Sequence, residues 1–472
     1  MALDKHIRAK RIRQSWCGAV AVFAIILSVL MGFTANVADA EEASVPETIQ
    51  VRSDIPYTAP WSATQTQKLD FYSPRAWNSS GDGQGHPLVV FIHGGAWVHG
   101  DKSMSDRMPL VSILLKSGYA VASIDYRLAD ESPWPAQIND CKSAIRFLRA
   151  NAQSLGVDGK KIAVFGESAG AHLAMLMDET YGEQFVDTND GNGTVSSDIQ
   201  AVISDYGISN VAEWGTSSHD DSASAAYAKN LLLGAGYTNE EAMLASPIEY
   251  VNADAKPILL VHGKNDSTVD YHQTVALERS LRAVGAKSVY SWYPDNGPHS
   301  SVDIFVKNIE AQLMYLDFLS NVMPSGETAD EKGIVSVTRM YNTANGVHMF
   351  SISKNEINVL DQDWTGWRDE GHAFYVRQQA VTGSQNVTRL HNPLTDDYLY
   401  TTDESEVASL RVAGWYSEGV FFARQSGGVP VYQLYNPNAG QHMLVTSQKE
   451  LNDLMSQGWI DEGVAFHAYE AI

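Results

Sequence analysis

The sequence predicts an α/β protein: a doubly wound, mostly parallel sheet followed by a smaller α+β domain of three repeats. Three observations carry this. Between residues 88 and 293 short, fully apolar strands alternate with amphipathic helices, the pattern of a parallel sheet covered on both faces. Within that stretch a strand, the pentapeptide Gly166-Glu167-Ser168-Ala169-Gly170 and a helical run follow one another without a break. After Pro324 the texture changes, and a pattern with a period of about 44–50 residues recurs three times.

Residues 1–40 read as an export signal. Lys5, Arg8, Lys10, Arg11 and Arg13 precede an apolar run from Cys17 to Phe33, and Ala38-Asp39-Ala40 is a small-x-small cleavage pattern. Cleavage after Ala40 is expected, with a retained anchor as the alternative. The whole chain carries 33 basic and 56 acidic residues. Without residues 1–40, 28 basic residues face 54 acidic ones. So acidic a surface repels nucleic acid and anionic membranes and suits an exported protein. Cys17 leaves with the signal and Cys141 stays alone, so no internal disulfide is expected. That usage fits an extracellular location of the Gram-positive type. Cys141 falls within a helical pattern, where a packed core thiol is expected.

The remaining length exceeds one ordinary core, and the chain divides into 41–323, a polar linker 324–333, and 334–472. In the first part, 57–72 suggests an edge hairpin and 78–85 a flexible connection. Strands are expected at 88–92, 120–124, 161–165, 201–204, 257–261 and 289–293, and helices at 107–116, 136–150, 171–177 and 274–284.

The chemistry lies at the strand ends. A serine on a sharp strand-to-helix turn needs neighbours without bulk, which Gly166 and Gly170 supply around Ser168. The new helix directs free N–H groups at an anion forming beside the hydroxyl, Ala169 first among them. His93-Gly94-Gly95-Ala96-Trp97 follows the first parallel strand, and the Gly94 and Gly95 N–H groups are the partner donors of an oxyanion hole. Asp266 follows the strand 257–261, with Asp270 as its rival or as a helix N-cap, and His299 follows the strand 289–293. The chain order Ser168, Asp266, His299 is that of a serine hydrolase on such a sheet. His299 would act as base toward Ser168, and Asp266 would orient it. His172 reads as a packing or capping residue, His262 as a loop hydrogen-bonder and His99 as a rim residue. Trp97, Trp134 and Tyr206 are candidate substrate-pocket walls, with core packing the alternative for each. The stretch 187–193 superficially resembles a calcium loop, but its glycine and acidic register do not fit one. No metal and no cofactor is expected.

These residues, with Asp125-Tyr126-Arg127-Leu128 and Pro133-Trp134-Pro135-Ala136-Gln137, resemble the α/β-hydrolase esterases over roughly residues 50–322. The likeness is to the hormone-sensitive-lipase-like branch and to bacterial acetyl and feruloyl carbohydrate esterases. It departs at Ala96, where many relatives carry a third glycine. The resemblance implies ester hydrolysis on small acyl groups and leaves the alcohol undefined, with acylated plant polysaccharide as the expected substrate. A short-chain lipase-like esterase, a peptidase relative and a catalytically degenerate binding scaffold are the alternatives.

The three repeats span about 334–378, 386–425 and 429–470. Tyr341-Asn342, His391-Asn392 and Tyr435-Asn436 open them, followed by His348, Tyr398 and His442. Gly366-Trp367, Gly414-Trp415 and Gly458-Trp459 come next, then Glu370-Gly371, Glu418-Gly419 and Glu462-Gly463, each three residues before Phe374, Phe422 or Phe466. Each unit reads as strand, strand, helix, strand, and three are expected to pack around a shared aromatic core. The array resembles a repeat module of secreted bacterial proteins. Exposed aromatics in residues 334–472 would give glycan or cell-wall contact.

Overall fold

The computed structural model of the chain describes residues 48–60, 64, 66–75, 85–180, 185, 189–325 and 333–470. The expected signal 1–40, most of the 78–85 connection, and linker positions 326–332 lie outside the described residues.

Eight strands form the first sheet: β1 (Ile49–Pro56), β2 (Lys68–Pro74), β3 (His86–Ile92), β4 (Ala120–Ile124), β5 (Val157–Glu167), β6 (Ala201–Asp205), β7 (Ile258–Val261) and β8 (Val289–Trp292). Their order is β1-β2-β4-β3-β5-β6-β7-β8. β1 and β2 add antiparallel pairings at one edge, and the other neighbours are parallel. Continuous apolar strands such as Ala120–Ile124 are buried along their whole length because helices cover both faces. Strand order reverses at β3 and β5, the place where an α/β sheet opens a crevice at its carboxyl ends. The antiparallel edge differs from the expected 57–72 hairpin. Its first strand runs earlier, where Ile49, Val51 and Ile55 alternate, and Pro56 ends it.

The second sheet consists of three antiparallel units of one element order. They comprise β9 (Ile334–Asn342), β10 (His348–Ser351) and β11 (Trp367–Arg377); β12 (Ser384–Asn392), β13 (Asp397–Thr401) and β14 (Tyr416–Arg424); and β15 (Val429–Asn436), β16 (Gln441–Val445) and β17 (Ile460–Ala468). A helix joins the second and third strand of each, capped by Ser353, Asp403 or Ser447. The last strands meet through β11–β14 and β14–β17. There the rings of Phe374, Phe421 and Phe466 lie 5.6–6.4 Å apart in one cluster.

The middle unit corrects the expected spacing, since Phe421 and not Phe422 fills the core position. Val337 pairs with Phe374 and Val431 with Phe466 across register shifts that leave Ala373 and Ala465 as extra residues. Val387 pairs with Phe421 with no such shift. One missing bulge moves the inward aromatic back by one position. Ion pairs also join neighbouring units: Arg389 binds Glu356 of the first helix, and Arg339 binds Glu450 of the third.

Candidate active site

Ser168 sits between β5 and the helix Ala169–Glu179 with φ 53° and ψ −115°, a strained conformation for a residue with a side chain. The turn is tight enough to require its glycines. A Cβ on Gly170 would fall 2.0 Å from the Ile92 carbonyl oxygen, and one on Gly166 would fall 2.2 Å from the Gly170 oxygen. Ser168 N–H donates to the Asp205 carbonyl at the end of β6 (2.9 Å).

The strand-end loops bring the three candidate residues together. Ser168 Oγ is 3.0 Å from His299 Nε2, and His299 Nδ1 is 2.7 Å from Asp266 Oδ2. Asp266 Oδ1 accepts the Thr268 and Val269 N–H groups (2.8 and 2.9 Å). Burial pushes this carboxyl up, but His262 and His299 outweigh it and hold it well below the usual carboxylate range. Asp266 is therefore the ionised partner that a base must have to carry a proton. The rival Asp270 faces elsewhere, accepting from Ser217 Oγ and from the His272 N–H.

The Gly94-Gly95 loop lies against the nucleophile. A Cβ on Gly94 would sit 3.2 Å from Ser168 Cβ, and one on Gly95, whose φ is +105°, would fall 2.0 Å from the His99 carbonyl oxygen. Glycine is thus needed at Gly95 for both conformation and space. Ala169 opens the elbow helix, so the two sets of candidate oxyanion donors flank Ser168. Asp125-Tyr126-Arg127 braces the loop from below. The Tyr126 ring stacks on His93 at 4.3 Å, and its hydroxyl donates to the His93 carbonyl. Arg127 is clamped by Asp140, while the Gln137 amide ties Arg127 to Ser132.

Of the candidate pocket walls, Trp97 and Tyr206 are core residues. Trp97 is fully buried, and its Nε1–H donates to His172 Nδ1 (3.2 Å). Tyr206 is 1% exposed and supports His299 edge-on at 4.8 Å. Only Trp134 keeps partial exposure, packed against His172 and Phe185. His172 itself is buried and bonded to the Ala245 carbonyl, and burial lowers its pKa to about 4. His99 is exposed beside Gly95. Cys141 is buried, and burial pushes its thiol up, away from reactivity. In the 187–193 stretch, Asp187 and Thr188 lie outside the described residues, and Asp190 pairs with buried Arg146. Among the described residues no group of three or more His, Cys, Asp or Glu side chains is placed to hold a metal.

One contributor escapes sequence reasoning, and a second, His262, does more than the loop hydrogen bonding expected of it. Arg107 grips Glu167, the residue before the nucleophile, through both carboxylate oxygens (2.5 and 2.6 Å). His262 places Nε2 3.1 Å from Asp266 Oδ2. A signal for the second existed, since histidine four residues before the acid in a tight loop is within reach of it.

Residues 69–281 match the BD-FAE family, and 310–424 and 421–472 match a domain of unknown function (DUF5648). Esterase LipC of Mycobacterium tuberculosis is 32% identical over 43% of this chain and 50% of its own length. Esterase LipQ of the same organism is 29% identical over 47% of this chain and 52% of its own. The chain thus spans about half the length of the curated relatives it matches. A structure described as a truncated carbohydrate esterase from gut microbiota superposes with TM-score 0.50 and 26% identity, over 60% of this chain and 98% of that one. Esterase B from Lactobacillus rhamnosis gives TM-score 0.50 at 24% identity, over 68% and 96%. The two relatives and the first of these structures are described as esterases. The first sheet with its covering helices is an α/β-hydrolase fold, and over residues 69–281 the chain is similar to the BD-FAE family.

Proposed function

We propose that the protein is an exported serine esterase that removes acetyl or feruloyl groups from polysaccharide or oligosaccharide. The observation that carries the reading is the unbroken relay from Ser168 Oγ to His299 Nε2 (3.0 Å) and from His299 Nδ1 to Asp266 (2.7 Å). His299 takes the serine proton as Oγ attacks the ester carbonyl, and the oxyanion forms between the Gly94-Gly95 loop and Ala169. The same histidine then protonates the leaving alcohol. Water enters, His299 activates it, and the acyl-enzyme is hydrolysed. A removed oxyanion donor typically costs about 3–4 kcal/mol of barrier.

The polysaccharide part of the reading draws support from the BD-FAE match and from the likeness to a carbohydrate esterase. Export draws support from the pattern of residues 1–40 and from the net charge of −23. Residues 334–472 serve as the glycan- or wall-directed part, with exposed Trp364 and Tyr416 as contact candidates. A degenerate scaffold is disfavoured because every position of the relay is filled and within hydrogen-bond reach.

The test is hydrolysis of p-nitrophenyl acetate by the protein beside Ser168→Ala, then of acetylated xylan and feruloylated arabinoxylan. Turnover is expected in the wild type and loss of at least about a thousandfold in the variant. Equal, slow rates in both would refute the esterase. Turnover of the small ester with none on either polysaccharide would leave the lipase-like reading.

A further inference from the structure

Asp266 is held by more donors than one histidine and its own loop supply. His299 and His262 both address the same oxygen, Oδ2, at 2.7 and 3.1 Å. His262 has no exposed surface, and its Nε2 also lies 3.0 Å from the Val269 carbonyl. Carboxylate and carbonyl only accept hydrogen bonds, so Nε2 must carry the proton. Its other nitrogen, Nδ1, is 2.6 Å from Thr274 Oγ1. That hydroxyl is buried in the first turn of the helix His272–Val284 and can donate to Nδ1. The result is a chain of hydrogen bonds running from Thr274 through His262 to the oxygen that holds His299.

A histidine whose only task was to tie the end of β7 to this helix would be satisfied by Thr274 and the Val269 carbonyl. The bond to Asp266 goes beyond that need. We propose that His262, with Thr274 fixing its tautomer, is a positioning residue of the hydrolytic site: its Nε2–H shares Asp266 Oδ2 with His299 and keeps that oxygen directed at the base. The inference rests on the serine-hydrolase reading above.

The chemical consequence has a sign. A donor on Oδ2 disperses its negative charge. Remove the donor, and more charge falls on the bond to His299, which favours the imidazolium. The acidic limb of the rate profile then moves to higher pH. Among the described residues, the titratable groups set against the carboxylate are His262 and His299, with the Tyr206 ring edge-on to His299. Asp270, the next acid in the chain, is turned toward Ser217, His219 and His272. No other carboxylate among these groups competes for the effect.

The experiment measures labelling of Ser168 by a fluorophosphonate, and turnover of p-nitrophenyl acetate, as functions of pH. The proteins compared are the wild type, His262→Phe, His262→Gln and Thr274→Val, each with its Tm. His262→Phe is expected to slow labelling by about tenfold or more, lower kcat with little change in KM, and raise the acidic limb by about half a pH unit or more. Thr274→Val moves the limb the same way by less. His262→Gln, whose amide N–H stands in for Nε2–H, keeps the wild-type limb. A limb that stays at the wild-type pH in folded His262→Phe, or in Thr274→Val should the phenylalanine variant not fold, overturns the proposal. So does a glutamine variant that behaves like phenylalanine. Wild-type protein labelled at Ser168 but inert toward the ester would cost only the substrate reading, and the labelling profile would still decide the role of His262. Failure to label Ser168 at all would overturn both.

Discussion

The two sheets handle backbone strain differently. Among the described residues of the first sheet and its loops, Asp54, Ala96, Trp97, Ser168, Phe185, Tyr206 and Ser300 have positive φ without being glycine. All but Asp54, in the edge strand β1, and Phe185, packed on Trp134, either belong to the Gly94–Trp97 loop or the nucleophile turn or adjoin His299 in space or sequence. In the three-unit sheet the positive-φ positions are glycines, with Asp396 in a turn as the exception. Each such outlier costs on the order of 1–3 kcal/mol and persists only where its surroundings over-determine it. The first sheet therefore gathers most of this strain at its crevice, while the second satisfies local preference and repeats it. A site that must hold one serine at a fixed angle needs the former, and a module that must close on itself needs the latter.

The largest expected effect tests the regular half. Phe421 is 4% exposed and packs against Phe374 and Phe466, whereas Phe422 is half-buried on the other face of β14. Phe421→Ala is expected to destabilise the module by about 3–5 kcal/mol, and Phe422→Ala by about 1 kcal/mol. Esterase turnover at 25 °C should stay unchanged in both. Urea unfolding of the two variants reads this directly. Equal losses would mean that the missing bulge does not set the core position.

That pair also marks where the sequence was legible. The alternating apolar strands, the Gly-x-Ser-x-Gly turn and the positions of Asp266 and His299 are local patterns, and local patterns can be read from one chain. The aromatic trio was legible as a period but not in register, because a bulge adds a residue without announcing itself in composition. Trp97 illustrates a second limit. An aromatic beside a site motif looks the same in sequence whether it lines a pocket or supports the loop from beneath, and only its burial against His172 and Trp214 decides. Arg107 and Glu167 show a third, being sixty residues apart and joined only by the fold.

The next effect concerns the far end of the elbow helix. Asp178 and Glu179 close it, buried, at the end where the helix dipole disfavours negative charge. Burial pushes Asp178 up to about 7, and burial with the neighbouring Asp178 pushes Glu179 up to about 9. The folded state therefore binds more protons than the unfolded chain from about pH 4 upward, and stability falls as pH rises toward 9. Glu179→Gln removes the penalty. It should add about 4 kcal/mol at pH 8 and little near pH 4, where this side chain is mostly protonated in both states. Urea midpoints at the two pH values check this, and a gain of equal size at both would point to packing in place of ionisation. Here the first half again tolerates a local cost, but away from the crevice and without service to it.

The smallest effect asks whether the strain at the crevice is needed. Ala96 holds φ 52° next to Trp97 at 62°, in the loop that flanks Ser168. Glycine adopts that conformation freely, so Ala96→Gly should relieve about 1 kcal/mol, less what the freer unfolded chain takes back. The loop has other anchors. Trp97 is buried against His172 and Trp214, Tyr126 holds the His93 carbonyl, and Gly95 is boxed by His99. With so many constraints the donors should stay in place, and kcat/KM should remain within about twofold of wild type while the urea midpoint rises slightly. A kcat loss of about tenfold with a higher midpoint would show the opposite arrangement: the alanine's strain would itself hold the oxyanion loop in register, and the contrast between the two sheets would be one of mechanism as well as of tolerance.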